Sequence, residues 1–126
     1  MTENTAARLN RREIGCGYED AAASYLAEKG YRIVERNFRR RQGEIDLIAR
    51  DGRYLVFVEV KYRKGRSSGT PLEAVSPLKQ RQISKIALFY LNRYKLGEDQ
   101  PIRFDVVGIS PGGITHVENA FDFCYY

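Results

Sequence analysis

The stretch GEIDLIARDGRYLVFVEVKYRKG, from Gly43 to Gly65, constrains the fold more than any other part of the chain. Two apolar runs flank Asp51-Gly52, a dipeptide whose glycine accepts the positive φ of a tight hairpin turn. A type I′ turn over Asp51 and Gly52 pairs Arg50 with Arg53. That register predicts Glu44 opposite Glu59 and Asp46 opposite Phe57, all on one face with Lys61. Asp46 and Glu59 then become diagonal neighbours about 7 to 8 Å apart at the backbone. A slip of one residue would put Asp46 on the opposite face. Val58 and Val60 share one face and Leu55 and Phe57 line the other, so the hairpin needs cover on both sides.

The rest of the chain supplies that cover. Tyr18, Ala22, Tyr25 and Leu26 form the apolar stripe of a helix over 18–29, with Gly30 placed to end it and Glu19 on a partly core-directed face. Tyr31 to Asn37 reads as a strand that leads through FRRRQG into the hairpin. Ser76-Pro77 is an N-cap and first-turn pair, and Ile83, Ile86, Ala87, Tyr90 and Tyr94 continue a helix to about Gly97. The four tyrosines at helical spacing, Tyr18, Tyr25, Tyr90 and Tyr94, are expected in the core. Ile102 to Ile109 and Ile114 to Val117 complete the set as strands joined by SPGG. Helix, three strands, helix and two strands predict an α/β domain with a sheet packed against helices.

At 126 residues the chain fits one domain, expected over 14–126 behind a loose polar arm at 1–13. No apolar run approaches the roughly 20 residues of a membrane span, and the N-terminus lacks the apolar centre of a secretory signal, so a cytoplasmic protein is expected. Cys16 and Cys124 are too far apart for a zinc or redox motif and are expected as reduced thiols; His116 is the only histidine. It is expected to have no chemical role, and Asp105, between Phe104 and Val106, to make a structural hydrogen bond.

The net charge of +5 gathers in clusters: Arg36, Arg39, Arg40 and Arg41; Lys61, Arg63, Lys64 and Arg66; Lys79, Arg81 and Lys85. This is either a footprint for phosphate contacts or a solvated basic face. RKGRSSGTPL, Arg63 to Leu72, reads as a mobile basic loop. Lys79 or Gln80 at the start of the second helix is placed to face a phosphate.

Carboxylates held within a few ångströms must take up a proton or a cation. Asp46, Glu59 and the Val60 carbonyl offer the oxygen ligands that Mg²⁺ prefers. Such an ion binds a phosphodiester and lowers the pKa of an attacking water. Lys61, two residues past Glu59, returns to the same strand face, where it orients the water or stabilises the phosphorus transition state. Against this stand blander roles: Glu-x-Lys as an exposed ion pair, Glu44 paired with Lys61 or an arginine, and Glu19 bonded to the FRRR segment.

Asp46 followed by Glu59-Val60-Lys61 resembles the Asp...(Asp/Glu)-x-Lys signature of the restriction-endonuclease-like nuclease superfamily. The series GYEDAAASYLAEKGY, RN, GEIDLIA, VFVEVKYR, PLEAV, LKQRQI and RFDVV resembles the YraN-like family of small bacterial proteins, itself similar in pattern to archaeal Holliday-junction resolvases. The resemblance implies an αβββαβ core with a mixed central sheet flanked by helices. It implies Asp46 and Glu59 as metal ligands, Lys61 as the catalytic lysine and Glu19 as the first-helix glutamate that completes the site. Ile45 departs from the proline that often precedes the aspartate. The expected function is a Mg²⁺- or Mn²⁺-dependent endonuclease on DNA, of branched or otherwise non-canonical structure, with Arg39, Arg40, Arg41, Arg63, Lys64 and Arg66 along the backbone; the resolvase likeness suggests a homodimer. The rival is a DNA-binding or recombination-accessory protein that keeps the fold without cutting, and charge does not separate DNA from RNA.

Overall fold

The computed structural model describes residues 17–63 and 75–124. The expected arm at 1–13, the start of structure near Ile14, Cys16, Lys64, Arg66 and the basic loop beyond Arg63 lie outside the described residues. An α-helix over 17–28 (α1) is followed by β1 (Arg32–Arg40), β2 (Gly43–Asp51) and β3 (Tyr54–Tyr62). Then come α2 (Pro77–Arg93), β4 (Ile102–Ser110) and β5 (Gly113–Phe121). The five strands form one sheet in sequence order, parallel between β3 and β4 and antiparallel elsewhere. A parallel pair cannot be joined by a tight turn, so the chain crosses over through α2.

The central strands are apolar on both sides because each side carries a helix. Ala22 and Leu26 of α1 pack with Leu47, Ala49, Val56, Val58 and Val107. On the other face Ile83, Ile86, Ala87 and Tyr90 of α2 pack with Ile45, Ile48, Leu55, Phe57, Phe104 and Val106. The rings of Phe38 and Phe57 meet Tyr90 edge-on, with centroids 5.2 and 5.9 Å away. Burial of side chains this size stabilises by about 1.5 to 3 kcal/mol each. No helix among the described residues is long and apolar enough to cross a membrane.

The hairpin differs from its expected register. Asp51 pairs with Tyr54, Arg50 with Leu55 and Leu47 with Val58. The loop residues are therefore Gly52 and Arg53, not Asp51 and Gly52. Gly52 has φ +60° and Arg53 is not among the positive-φ residues, which is the pattern of a turn with glycine first. A type I′ turn would have forced Asp51 into the left-handed region too. The strands slip by two residues, which preserves facing over the paired stretch from Leu47 to Asp51.

Element ends differ for local reasons. β1 runs through Phe38, Arg39 and Arg40, so the basic segment is strand before it turns. α2 stops at Arg93 rather than near Gly97, because Lys95 adopts φ +53° and closes a C-terminal motif: its N–H donates to the Asn92 carbonyl and that of Leu96 to the Leu91 carbonyl. Tyr94, expected in the core, is thereby turned out and is 48% exposed. β5 extends to Phe121 past a register shift between Phe104 and Val106, with Asn119 at φ +52°.

That irregularity serves Asp105, which is fully buried. Its carboxylate accepts from Arg103 Nε and Nη2 at 2.9 and 3.0 Å, His116 Nε2 at 2.7 Å and the Asn119 N–H at 3.1 Å. The Lys29 ammonium, which can only donate, sits 2.9 Å from His116 Nδ1, leaving Nε2 to donate to Asp105. The structural hydrogen bond expected of Asp105 is present, with His116 as its partner.

Candidate functional site

The ends of the elements determine what meets at the site. β1 and β2 meet at Arg40 and Gly43, β3 ends at Tyr62, and α2 begins at Pro77. α1 leads into the opposite end of β1, so its start lies at this same end of the sheet. Glu19, Glu44, Asp46, Glu59, Lys61 and Lys79 are thus carried by four different elements to one end of the sheet.

The paired residues of β2 and β3 begin only at Leu47 and Val58. Nearer the site the ladder opens, and the Asp46 carboxylate replaces a backbone acceptor: the Val60 N–H donates to its Oδ2 at 2.7 Å. Ile45 packs with α2 whereas Leu47 packs with α1, so alternation breaks at Asp46. The carboxylate consequently lies between the strands. Oxygens of Glu19, Glu44 and Asp46 fall within 4.8 Å of one another.

Glu59 stands on the other side of this opening and is 6% exposed. Its Oε1 lies 3.3 Å from Lys61 Nζ and 3.9 Å from Lys79 Nζ, while its Oε2 is buried with no hydrogen-bond partner among the described residues. Burial pushes Asp46 up to about 7; the Glu59 charge adds to this, the Val60 N–H opposes it, and Glu19 and Glu44 add further. Burial likewise raises Glu59, against the lowering effect of Lys79 and Lys61. A protein that crowds four carboxylates beside buried strands carries an electrostatic cost that a cation relieves.

The basic residues divide. Arg39 Nε is 3.3 Å from Glu44, the arginine pairing that the sequence left open, and Arg36 reaches Asp20 at 2.6 Å and Glu19 at 3.9 Å. Arg40 lies over the Phe89 ring at 3.7 Å, and Arg41 is exposed in the β1–β2 turn. Arg63 is half-buried, its Nε without a hydrogen-bond partner among the described residues. Of the helix-start pair, Lys79 points at Glu59, whereas Gln80 Nε2 donates to the Val75 carbonyl at 3.1 Å. Ser76 caps α2 by accepting from the Lys79 N–H at 3.1 Å.

The sequence left Glu44 open between the site and an ion pair, and the structure places it within 4.8 Å of both Glu19 and Asp46; Arg36, expected only as part of a basic cluster, pairs with acidic residues of α1. The signal for Glu44 was its place opposite Arg39 in the β1–β2 pair. Sequence reasoning missed the stack of Tyr18 on Tyr62, with centroids 4.2 Å apart. Two cavities of about 610 and 590 Å³ lie away from this cluster, one beside Arg53 and Lys95, the other beside Leu88 and Phe123.

These features define a mixed α/β protein whose five-stranded sheet is flanked by two helices and carries a carboxylate and lysine cluster where its central hairpin opens. The chain belongs to the uncharacterised protein family UPF0102, the YraN-like proteins, whose family model matches residues 18–109. It is 50% identical over 129 residues to a UPF0102 protein of Pelobacter propionicus, covering 97% of this chain and 91% of that one. A UPF0102 protein of Symbiobacterium thermophilum is 57% identical over 102 residues, covering 80% of this chain and 85% of its own. One of Geobacter sulfurreducens is 51% identical over 117 residues, covering 89% and 91%.

Proposed function

We propose that this protein is a Mg²⁺- or Mn²⁺-dependent endonuclease acting on DNA, built on a restriction-endonuclease-like αβββαβ core to which β5 is added. The observation that carries this reading is the placement of Asp46 in the opened ladder beside a buried Glu59 whose Oε2 has no partner among the described residues. Although Glu59 is paired through Oε1, a buried oxygen left without a hydrogen bond costs about 1 to 3 kcal/mol, which a bound cation would offset.

The donor set fits a hard cation: Asp46, Glu19 and Glu44 converge, Glu59 lies outside that group and would have to move its buried oxygen toward it, and the Val60 carbonyl is a further oxygen donor. When bound, such an ion supplies Lewis-acid stabilisation of phosphoryl oxygens and a lowered pKa for water. The protein's own contributions are distinct from this. Val60 fixes the Asp46 carboxylate through its N–H, and Lys61 presents an ammonium that orients a water or offsets charge growing on the phosphoryl oxygens. The N-terminus of α2, with Lys79, favours a phosphate. Arg39, Arg40, Arg41 and Arg63 line the approach to the backbone. Preference for branched DNA, and action as a dimer, rest on the likeness of sequence pattern to resolvases.

The test is incubation of purified protein with labelled duplex, flap, fork and four-way-junction DNA in Mg²⁺, Mn²⁺ or EDTA, beside Asp46→Ala and Lys61→Ala. Metal-dependent cutting lost in both variants is expected. Tight binding with no cutting in either metal would favour the accessory reading.

A further inference from the structure

The carboxylates of the cluster are held in two different ways. Asp46 is held by a neutral amide, the Val60 N–H. Each of the others is held by a side chain that is itself a candidate for phosphate: Glu19 by Arg36, Glu44 by Arg39 and Glu59 by Lys79 and Lys61. Three of these four cations are tethered loosely. Arg39 is 76% exposed, Arg36 prefers Asp20 to Glu19, and Lys79 is 3.9 Å from Glu59 at the limit of an ion pair.

Lys79 is also out of place electrostatically. It occupies the third position of α2, where the helix dipole disfavours a cation, and the first turn has no acidic residue to offset it. Contact with Glu59 is what compensates Lys79 in the free protein. Oε2 of the same glutamate, nine-tenths buried and unpartnered among the described residues, points to a second ligand that this arrangement has yet to receive.

We infer that Arg36, Arg39 and Lys79 are exchange residues: they hold the carboxylates in the free protein and turn to substrate phosphates when a divalent cation takes the carboxylates over. The inference rests on the metal and nucleic-acid reading above and adds to it a coupling between the two ligands. A dication that binds Glu19, Glu44 and Glu59 weakens their hold on three basic side chains. A polyanion that draws those side chains away leaves the carboxylates more attractive to the dication. By linkage each ligand must raise the affinity of the other by the same factor. Lys61 lies closer to Glu59, at 3.3 Å on the same strand, and stays with it. These are positioning residues, distinct from the groups that act on the reacting phosphorus.

The experiment uses the full chain. Mn²⁺ binding is followed by electron paramagnetic resonance with and without a saturating 20-base-pair duplex, recovered intact afterwards. Duplex binding is followed by fluorescence anisotropy with and without Mn²⁺ at constant ionic strength. Mn²⁺ affinity is expected to rise about tenfold with duplex, and duplex affinity by the same factor with Mn²⁺. In Arg36→Gln/Arg39→Gln/Lys79→Gln the free protein should bind Mn²⁺ more tightly, and the coupling factor should fall toward one. Lys79→Gln alone, at a partly exposed helix start, should lower the factor part of the way and serves if the triple variant folds poorly. Arg40→Gln, which touches no carboxylate of the cluster, should weaken duplex binding and leave the factor unchanged. Mn²⁺ and duplex binding with a factor of one in the wild type, or a factor unmoved by Lys79→Gln and the triple variant, would overturn the inference without touching the nuclease reading. Coupled binding without cutting would do the reverse.

Discussion

Asp46 and Asp105 do the same thing to the backbone under opposite electrostatics. Each takes a neighbouring strand's N–H where a ladder is irregular, Val60 at 2.7 Å for Asp46 and Asn119 at 3.1 Å for Asp105. Asp105 is then saturated by Arg103 and His116, while Asp46 is left among Glu19, Glu44 and Glu59. One carboxylate is fixed as structure. The other is held in place with its charge uncompensated, as expected of a group awaiting a ligand.

The Asp46 environment predicts a stability that falls as pH rises. Its pKa is about 7 in the folded chain against an ordinary 3.8, so between those values the folded state binds more protons than the unfolded one. Asp46→Asn keeps an acceptor for the Val60 N–H and removes the charge. In EDTA at pH 8 the variant should be more stable than wild type by about 1 to 3 kcal/mol, with the difference vanishing near pH 4. Urea denaturation across that range checks the sign.

Asp105 predicts the reverse. Burial would raise its pKa, but the hydrogen bonds from His116, Arg103 and the Asn119 N–H, with the Arg103 charge, hold it below the ordinary value. Its contribution is complete above the ordinary carboxylate pKa and is lost as pH falls through the lowered one. Asp105→Asn, which leaves Arg103 without its buried partner, should cost about 3 to 5 kcal/mol at pH 7 and less in strong acid. Chemical denaturation at pH 7 and pH 3 measures both.

A divalent cation should stabilise the folded chain by mass action. At a hundredfold excess over its dissociation constant the gain is about 2.7 kcal/mol. Glu59→Gln and Asp46→Asn should each remove most of it, whereas Asp99→Asn, beside the cavity of Arg53 and Lys95, should leave it intact. Thermal melts with Mn²⁺ titrated from zero give the comparison.

Lys95 occupies the left-handed position that closes α2, at φ +53°, where glycine is unstrained. Lys95→Gly should stabilise by about 0.5 to 1 kcal/mol, and Gly52→Val, at φ +60° in the hairpin loop, should cost at least as much. Denaturant midpoints at unchanged slope would show that only the folded backbone has been relieved or strained.

Much of this architecture was legible in the sequence. Periodicity located the apolar stripes of both helices, and Val58 against Phe57 announced a sheet covered on two sides. The register was misread because Asp51-Gly52 suits two turns equally, and side-chain alternation cannot tell a slip of two residues from none. The break at Asp46 was hidden for a related reason: alternation presumes a regular ladder, and only the Val60 contact reveals that the ladder has opened. The contact of Glu44 with Arg39 needed the pairing of β1 with β2, and that of Arg36 with Asp20 needed the packing of α1 beside β1, both long-range facts. Tyr94 followed the helical stripe but lay past the residue that ended the helix.

The parallel pairing of β3 with β4 has a kinetic consequence. A hairpin can form locally, so Asp46 and Glu59 come together early, but Lys79 is oriented only when α2 has crossed the sheet and β4 has docked at Leu55 and Ile102. Such non-local contacts form slowly because the chain must be ordered before they reward it. The acidic hairpin of a newly synthesised chain therefore exists for a time without its full complement of basic partners, and assembly of the site is among the last events of folding.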